Sequence, residues 1–263
     1  MNGAEAWEVG EAYERYVGRW SRVVAEVVVR RLAVPAGARW LDVGCGTGAL
    51  TAAVLRHGEP AGVFGIDPSR GFIGHARRSV ADPRAHFAVA DARALPFRDR
   101  CFDAAVSGLV LNFVADPEEA LGELVRVTAP GGVVAAYLWD YAEGMQMIRH
   151  FWDAATELDP AMAERAEGRR FPLCRPGPLA ALWRAAGLTG VDVEPVDVPT
   201  RFRDLDDFWD PFLGGQGPAP GYVSSLDDRG RAGLRGLLGD RLPVEPDGSI
   251  RLFARAWVVH GSR

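Results

Sequence analysis

Lysine is missing altogether: the 30 basic side chains of this 263-residue chain are all arginine. That absence removes every chemistry that needs an amine on the protein, from a Schiff base to the lysine that a Walker-type loop places on a nucleotide phosphate. A GC-rich codon bias toward Arg, Ala and Gly accounts for it, and the exclusion stands whatever its origin. Cysteine is nearly as scarce. Cys45, Cys101 and Cys174 are odd in number and far apart, which suggests neither a disulfide framework nor a zinc cluster. The five histidines, at 57, 75, 86, 150 and 260, are dispersed without an HExxH pair, so no metal is expected. Nor is there a basic stripe. The net charge is −5 and the arginines stand singly or in pairs, which argues against a nucleic-acid partner. No apolar run approaches the roughly 20 residues of a membrane span. The opening MNGAEAWEVGEAYERY is acidic and unlike a signal peptide, so no membrane span and a cytoplasmic address are expected.

What is present is the composition of a globular protein, 48% hydrophobic and 25% charged. The length fits a single α/β domain with an insertion. Residues 7–31 read as a helix, because Tyr13, Tyr16, Val17, Trp20, Val24 and Val27 recur at spacings of three and four. From residue 38 short apolar strands alternate with helical stretches. Strands are predicted at 38–44, 61–67, 85–91, 102–108 and 131–140, with helices at 49–56, from Pro68 and Ser69 to 79, and 117–127 between them. This alternation implies a parallel sheet covered by helices on both faces. Beyond it lie a Met145/Ile148/Phe151/Trp152/Ala155 stripe, a helix over 177–188, a strand at 191–198 and a final strand at 250–261. Residues 204–242 break the rhythm with the FWDPF cluster and the Gly/Pro-rich GGQGPAPG.

The segment LDVGCGTG, residues 41–48, sits between the first strand and its helix. Its glycines permit a sharp turn and the close approach of a ligand to bare backbone. With Ala49 the segment also satisfies the looser dinucleotide pattern, so the turn alone is ambiguous. The carboxylates around it narrow the reading. Asp42, Asp67 and Asp91 end three successive strands, and in a parallel sheet such ends line one crevice. On a nucleoside-type ligand, Asp67 can accept from ribose hydroxyls, Asp91 from an exocyclic adenine amine, and Asp42 supplies charge near an ammonium. A pyrophosphate prefers N–H groups and cations. The acidic rim suits a cationic nucleoside better.

LDVGCGTG, GIDPS, VADARALPFRDRCFDAAVSGLVLNFVADPEEAL and RVTAPGG, in this order over about residues 39–140, resemble the class I S-adenosylmethionine-dependent methyltransferases, in the type-11 branch of quinone-biosynthetic and small-molecule enzymes. The resemblance implies a Rossmann-like, seven-stranded, mostly parallel sheet, its final strand (about 250–260) inserted antiparallel beside the fifth. It implies S-adenosyl-L-methionine as cofactor: Gly44 and Gly46 flank its methionine part, Asp67 and the adjoining Pro68 its ribose, Asp91 and Ala92 its adenine, and the Ser107 carbonyl its ammonium. Relatives often fold an N-terminal helix over the cofactor, which makes Tyr16 and Arg22 candidates for its carboxylate end. Many relatives carry histidine where Asn112 and Phe113 stand here, so an acid–base role at those positions is absent.

One methyltransferase domain is therefore expected, with an N-terminal helical segment (1–37), a cofactor-binding core (38–140), a helical cap (141–175 and 203–242) and a closing core strand. The expected acceptor is a hydrophobic small molecule entering beneath the cap, with an O, N or C nucleophile. Trp139, Phe151, Trp152, Trp209 and Phe212 are the expected pocket walls, although FWDPF reads equally well as a small cap core. His150 and Asp140 are the candidate catalytic groups, His150 also reading as a solvated helix residue. Methyl transfer from a sulfonium needs alignment and desolvation before it needs a catalytic side chain. Two other functions share these features: a cofactor- or partner-binding protein without turnover, and a nicotinamide oxidoreductase, whose Tyr-x-x-x-Lys pair the missing lysine excludes.

Overall fold

The computed structural model describes residues 18–214 and 217–263. Seven strands, β1 (Arg39–Val43), β2 (Gly62–Asp67), β3 (Ala85–Val89), β4 (Phe102–Gly108), β5 (Thr128–Trp139), β6 (Thr189–Phe202) and β7 (Ile250–Ser262), form one sheet. Their order is β3-β2-β1-β4-β5-β7-β6. β1 pairs in parallel with both β2 and β4, and β7 runs antiparallel between β5 and β6. The chain therefore winds outward from β1 to β3 and returns to start the other half at β4. That reversal opens a crevice beyond the carboxyl ends of β1 and β4, where open α/β sheets hold ligands. The antiparallel β7 is the inserted final strand the sequence resemblance implies, and it breaks the wholly parallel order of a dinucleotide-binding sheet.

Helices cover both faces. α1 (Arg19–Leu32), α2 (Ala49–His57), α3 (Arg70–Ser79), α4 (Pro117–Val127), α5 (Gln146–Leu158), α6 (Glu167–Arg170), α7 (Pro176–Ala185), α8 (Leu205–Trp209), α9 (Pro218–Ser225) and α10 (Asp228–Arg241) follow in order. Local chemistry sets their starts. Ser69 accepts from Phe72 N at 3.2 Å to open α3. Asp116 accepts from Glu119 N at 2.8 Å to open α4, with Pro117 in the first turn. Asp227 caps α10 in the same way. The helix expected over residues 7–31 is described from Arg19, and Tyr13 and Tyr16 lie outside the described residues.

Strand alternation divides the core. In β5, Ala135, Tyr137 and Trp139 turn to the face that carries α1, α2 and the cap, whereas Val134, Ala136 and Leu138 turn to α4 and α7. The cap is built from two excursions, residues 140–175 between β5 and α7, and residues 203–249 within the β6–β7 hairpin. Its side chains belong to the same buried cluster as α1 and the sheet face beneath it. α1 fastens to the end of β6 through Trp20, whose ring meets Phe202 edge-on at 5.3 Å, and to the cap through an Arg19–Asp207 ion pair at 3.5 Å. No helix among the described residues is long and apolar enough to cross a membrane.

The cap aromatics correct an expectation. Phe151, Trp152, Trp209 and Phe212 do not wall a pocket; they pack on one another. Phe151 stacks on Phe212 with centroids 4.5 Å apart, Trp209 lies 6.2 Å from Phe212, and Trp152 lies 6.1 Å from Tyr222. Short helices above a sheet have few other apolar groups with which to make a core of their own, and large rings gain most by burial. Phe151→Ala should accordingly cost about 3–5 kcal/mol in urea unfolding, as a cavity-forming core substitution does. A loss below about 1 kcal/mol would show that the cap does not share the core.

Candidate functional site

The crevice begins with two stitched strand ends. The main chain leaving β1 donates from Gly44 N and Cys45 N to the Ile66 carbonyl of β2, at 2.8 and 2.9 Å. The Asp67 carboxylate completes the seam, accepting from Gly46 N at 3.0 Å through Oδ2 and from Ser69 N at 2.8 Å through Oδ1. Gly44 (φ +77°) and Gly46 (φ +51°) hold left-handed backbone that an L side chain rarely adopts. A Cβ on Gly44 would also meet Val110 at 2.5 Å, whereas one on Gly46 would meet nothing within 4 Å. Gly46 thus faces open space, where a ligand can approach its backbone.

Asp42 lies beneath this turn. Its Oδ2 accepts from Thr51 Oγ1 at 2.7 Å, while Oδ1 is buried and accepts no hydrogen bond from the described residues. Burial pushes its carboxyl up to about 7, against the pull of the Thr51 hydroxyl and with a smaller push from Asp67. Asp67 is raised for the same reason, since burial outweighs its two backbone donors. Asp91 behaves oppositely. Half-exposed, it is gripped by the Arg93 guanidinium, at 3.1 Å from Nε and 2.7 Å from Nη2, which holds it below the usual carboxylate range. Two buried acids beside an unmet acceptor suit a cationic ligand group and repel a phosphate.

All of this opens into one cavity of 940 Å³. Asp42, Gly44, Gly46, Asp67, Pro68, Asp91 and Ala92 line it from the β1–β3 half. From the β4–β5 half it is lined by Gly108, Leu109, Phe113, Tyr137, Trp139 and Tyr141, and from the cap by Ile148, Glu167 and Pro218.

Several expected residues lie elsewhere. Ser107 is buried inside the ladder opposite Ala136, and the crevice starts one residue later, at Gly108. Arg22 is exposed in a small groove with Glu26 and Arg56; Tyr16 is outside the described residues. Of the five rings expected as pocket walls, only Trp139 lines the cavity. Asp140 follows Trp139 but does not line the cavity: its Oδ1 accepts from Glu143 N at 3.1 Å in a turn whose Gly144 sits against Oδ2. Its charge acts on Cys174, which belongs to the cluster on the opposite face. His150 is half-buried among Arg149, Asp153 and Arg241, and burial, then Arg149, lowers its pKa. Ile148 is the α5 residue that reaches the cavity, and His150 stands roughly 200° around the helix from it. Neither Asp140 nor His150 lines the cavity.

Sequence reasoning missed Tyr137 and Glu167. The alternation that placed Trp139 places Tyr137 on the same face, so that signal was available. Glu167 lies in an irregular stretch with no period to reveal it. Among the described residues, one group has metal-ligand geometry, Asp192, Glu194 and His260 on β6 and β7. None of the three lines the cavity, and Glu194 is paired with Arg31 at 3.2 Å.

A family model described as a methyltransferase domain matches residues 41–136, which span the turn and the three acidic strand ends. The demethylmenaquinone methyltransferase of Clavibacter sepedonicus is 40% identical over 131 residues, 48% of this chain and 52% of that protein. The demethylmenaquinone methyltransferase of Roseiflexus castenholzii is 33% identical over 174 residues, 60% of this chain and 71% of that protein. The chain belongs to this methyltransferase family. It spans about half the length of the first curated relatives it matches. In fold, the chain resembles phosphoethanolamine N-methyltransferase 2 of Haemonchus contortus, solved with S-adenosyl-L-methionine, at a TM-score of 0.58 and 19% identity over 97% of this chain and 57% of that one.

The raised Asp42 carboxyl gives a pH prediction for the chain without added ligand. The folded state holds this proton up to about pH 7, whereas the unfolded chain releases it near the ordinary 3.8. Its stabilising contribution is therefore complete below about pH 4 and is lost as pH rises toward 7. Asp42→Asn, which never ionises, should gain in stability relative to the parent between pH 5 and pH 8, read by urea midpoints. A difference that stays constant over that range would mean Asp42 is ionised throughout.

Proposed function

We propose that the chain transfers a methyl group from S-adenosyl-L-methionine to a nucleophile on a small hydrophobic molecule. The observation that carries this reading is the convergence of Asp42, Asp67 and Asp91 around the Gly44–Gly46 turn, opening into the same cavity as Tyr137, Trp139 and Tyr141. When bound, the cofactor supplies an electrophilic methyl group on a sulfonium. The unmet Asp42 Oδ1 and the bare backbone at Gly46 fit its amino-acid end. Asp67 keeps lone pairs for ribose hydroxyls beyond its two backbone donors, and Asp91, held ionised by Arg93, keeps capacity for an amine donor. The backbone at Ala92 and the ring of Pro68 bound the nucleoside region.

The rest of the chain's contribution is placement. Tyr137 and Trp139 stand at the end of β5, beside the β1–β4 crevice, and Ile148, Glu167 and Pro218 close the cavity from above. This arrangement excludes water and holds two reactants in line, which supplies much of the acceleration an in-line displacement needs. The quinone-pathway names of the curated relatives and the aromatic lining both support a hydrophobic acceptor. The single-domain organisation proposed from the sequence is supported by the buried cluster that the cap shares with the sheet. A cytoplasmic address agrees with the lack of a spanning helix among the described residues.

Asp67→Ala removes the acceptor proposed for the ribose and should weaken S-adenosyl-L-methionine binding by about 1–3 kcal/mol in calorimetry. Unchanged affinity in a variant that still unfolds cooperatively would overturn the assignment.

A further inference from the structure

The histidines are dispersed along the sequence, but strand pairing brings one of them to two carboxylates. His260 of β7 stands directly opposite Asp192 of β6, and Glu194 follows two residues on, so all three share one face of the sheet. It is the face that carries α1, because Val196, Val198 and Val258 belong to the buried cluster around that helix. One donor atom from each of the three lies within 4.8 Å of the other two. Bonds of about 2.0–2.2 Å to a shared ion bring two donors to about 4.4 Å or less. Two exposed carboxylates can close that gap by small rotations. The half-buried imidazole is the fixed member, on a strand that is paired on both sides, with Ala135 of β5 as its other neighbour.

The charges around the group are unbalanced. Arg31, in the last turn of α1, donates to Glu194 Oε2 at 3.2 Å and to the Pro195 carbonyl at 3.0 Å. Asp192 forms no ion pair with a described cation, and its Oδ1 accepts from Val193 N at 2.8 Å. Each carboxylate therefore keeps a second oxygen, and one guanidinium stands beside two negative groups. We propose that Asp192, Glu194 and His260 bind a divalent metal ion of the zinc type. An imidazole nitrogen beside carboxylate oxygens suits zinc better than calcium or magnesium, which take oxygen ligands. Three protein donors leave the fourth position of a tetrahedral ion to water.

None of the three residues lines the cavity, so the ion acts on the sheet and is independent of the methyltransferase reading. β6 is an edge strand that pairs with β7. Their register slips between Thr189 and Asp192, so the ion sits where the backbone ladder is interrupted. Held by both strands, it ties the start of the edge strand to the interior of the sheet, at the far end of the hairpin from the cap.

The probe is Zn²⁺ alone, titrated by calorimetry into the untagged full chain in a buffer that does not chelate. The parent should bind one ion saturably at micromolar free zinc, and its thermal midpoint should rise with zinc concentration. Asp192→Asn, Glu194→Gln and His260→Gln should each bind about tenfold more weakly or worse, as loss of a metal ligand requires. Their thermal midpoints without zinc should stay near the parent's. Should His260→Gln fail to fold, the two exposed carboxylate variants carry the test. Cys101→Ser, which removes the half-buried thiol, should bind zinc as the parent does. Absence of saturable binding below millimolar zinc would overturn the proposal. So would parent-like affinity in Asp192→Asn and Glu194→Gln, or binding that Cys101→Ser abolishes.

Discussion

The Asp67 carboxylate is the fastening on which the site depends. With one oxygen it holds Gly46 N and with the other Ser69 N, so a single side chain links the turn after β1 to the start of α3. Had the β1 turn relaxed outward, Gly46 would no longer face open space and Asp42 would no longer lie buried beneath it. The Ile66 carbonyl, bonded to both Gly44 N and Cys45 N, makes the same link in the backbone. Strand order then does the rest. Because β4 returns to the far side of β1, the stitched turn opens beside the ends of β4 and β5, and their side chains become the other half of the cavity.

That arrangement is electrostatically uncomfortable, and the discomfort has a direction. Asp42 and Asp67 are both raised by burial, with Thr51 and two backbone N–H groups as partial relief. An approaching ammonium or sulfonium offsets the repulsion, whereas an approaching phosphate adds to it. One feature thus both destabilises the folded chain near neutral pH and selects the sign of the ligand, a common trade at functional sites. Asp91 stands outside this tension because Arg93 neutralises it at the surface. In the proposed binding of the cofactor its role is directional, through lone pairs held in place by a guanidinium.

The sheet and the cofactor half were legible in the sequence because periodicity and glycine chemistry are local. The boundaries of β4 and α4 agree with the reading residue for residue, and Pro117 with Asp116 explains the second. The acceptor half was only partly legible. Trp139 lines the cavity because strand alternation is strict, and the same rule would have named Tyr137. In the cap, aromatic content alone fits a pocket wall and, for Trp209 and Phe212, a cap core equally well; a short helix buries its largest rings in its own core, and Phe151, Trp152, Trp209 and Phe212 do so. Proximity in sequence also misled at Asp140 and His150. One step along the chain, or two along a helix, turns a side chain to another face.

The packing of the cap bears on how acceptor selection is carried. Its rings form one cluster with the sheet face beneath, so the cap is held by core packing and the Arg19–Asp207 pair. Beyond Tyr141 next to β5, the side chains it lends to the cavity are few, Ile148, Glu167 and Pro218, and they come from three different segments. Changing any one of them alters the cavity wall without removing a ring from the cluster. The cofactor half has no such freedom, because Asp67 and the Gly44–Gly46 turn are each tied to the ends of two strands. The molecule therefore separates a rigid half, whose geometry the seam dictates, from a half whose wall is made of single side chains lent by separate segments. The Trp152 indole, part of the cap core, donates a hydrogen bond to Glu167 at the cavity wall and so ties that wall to the core.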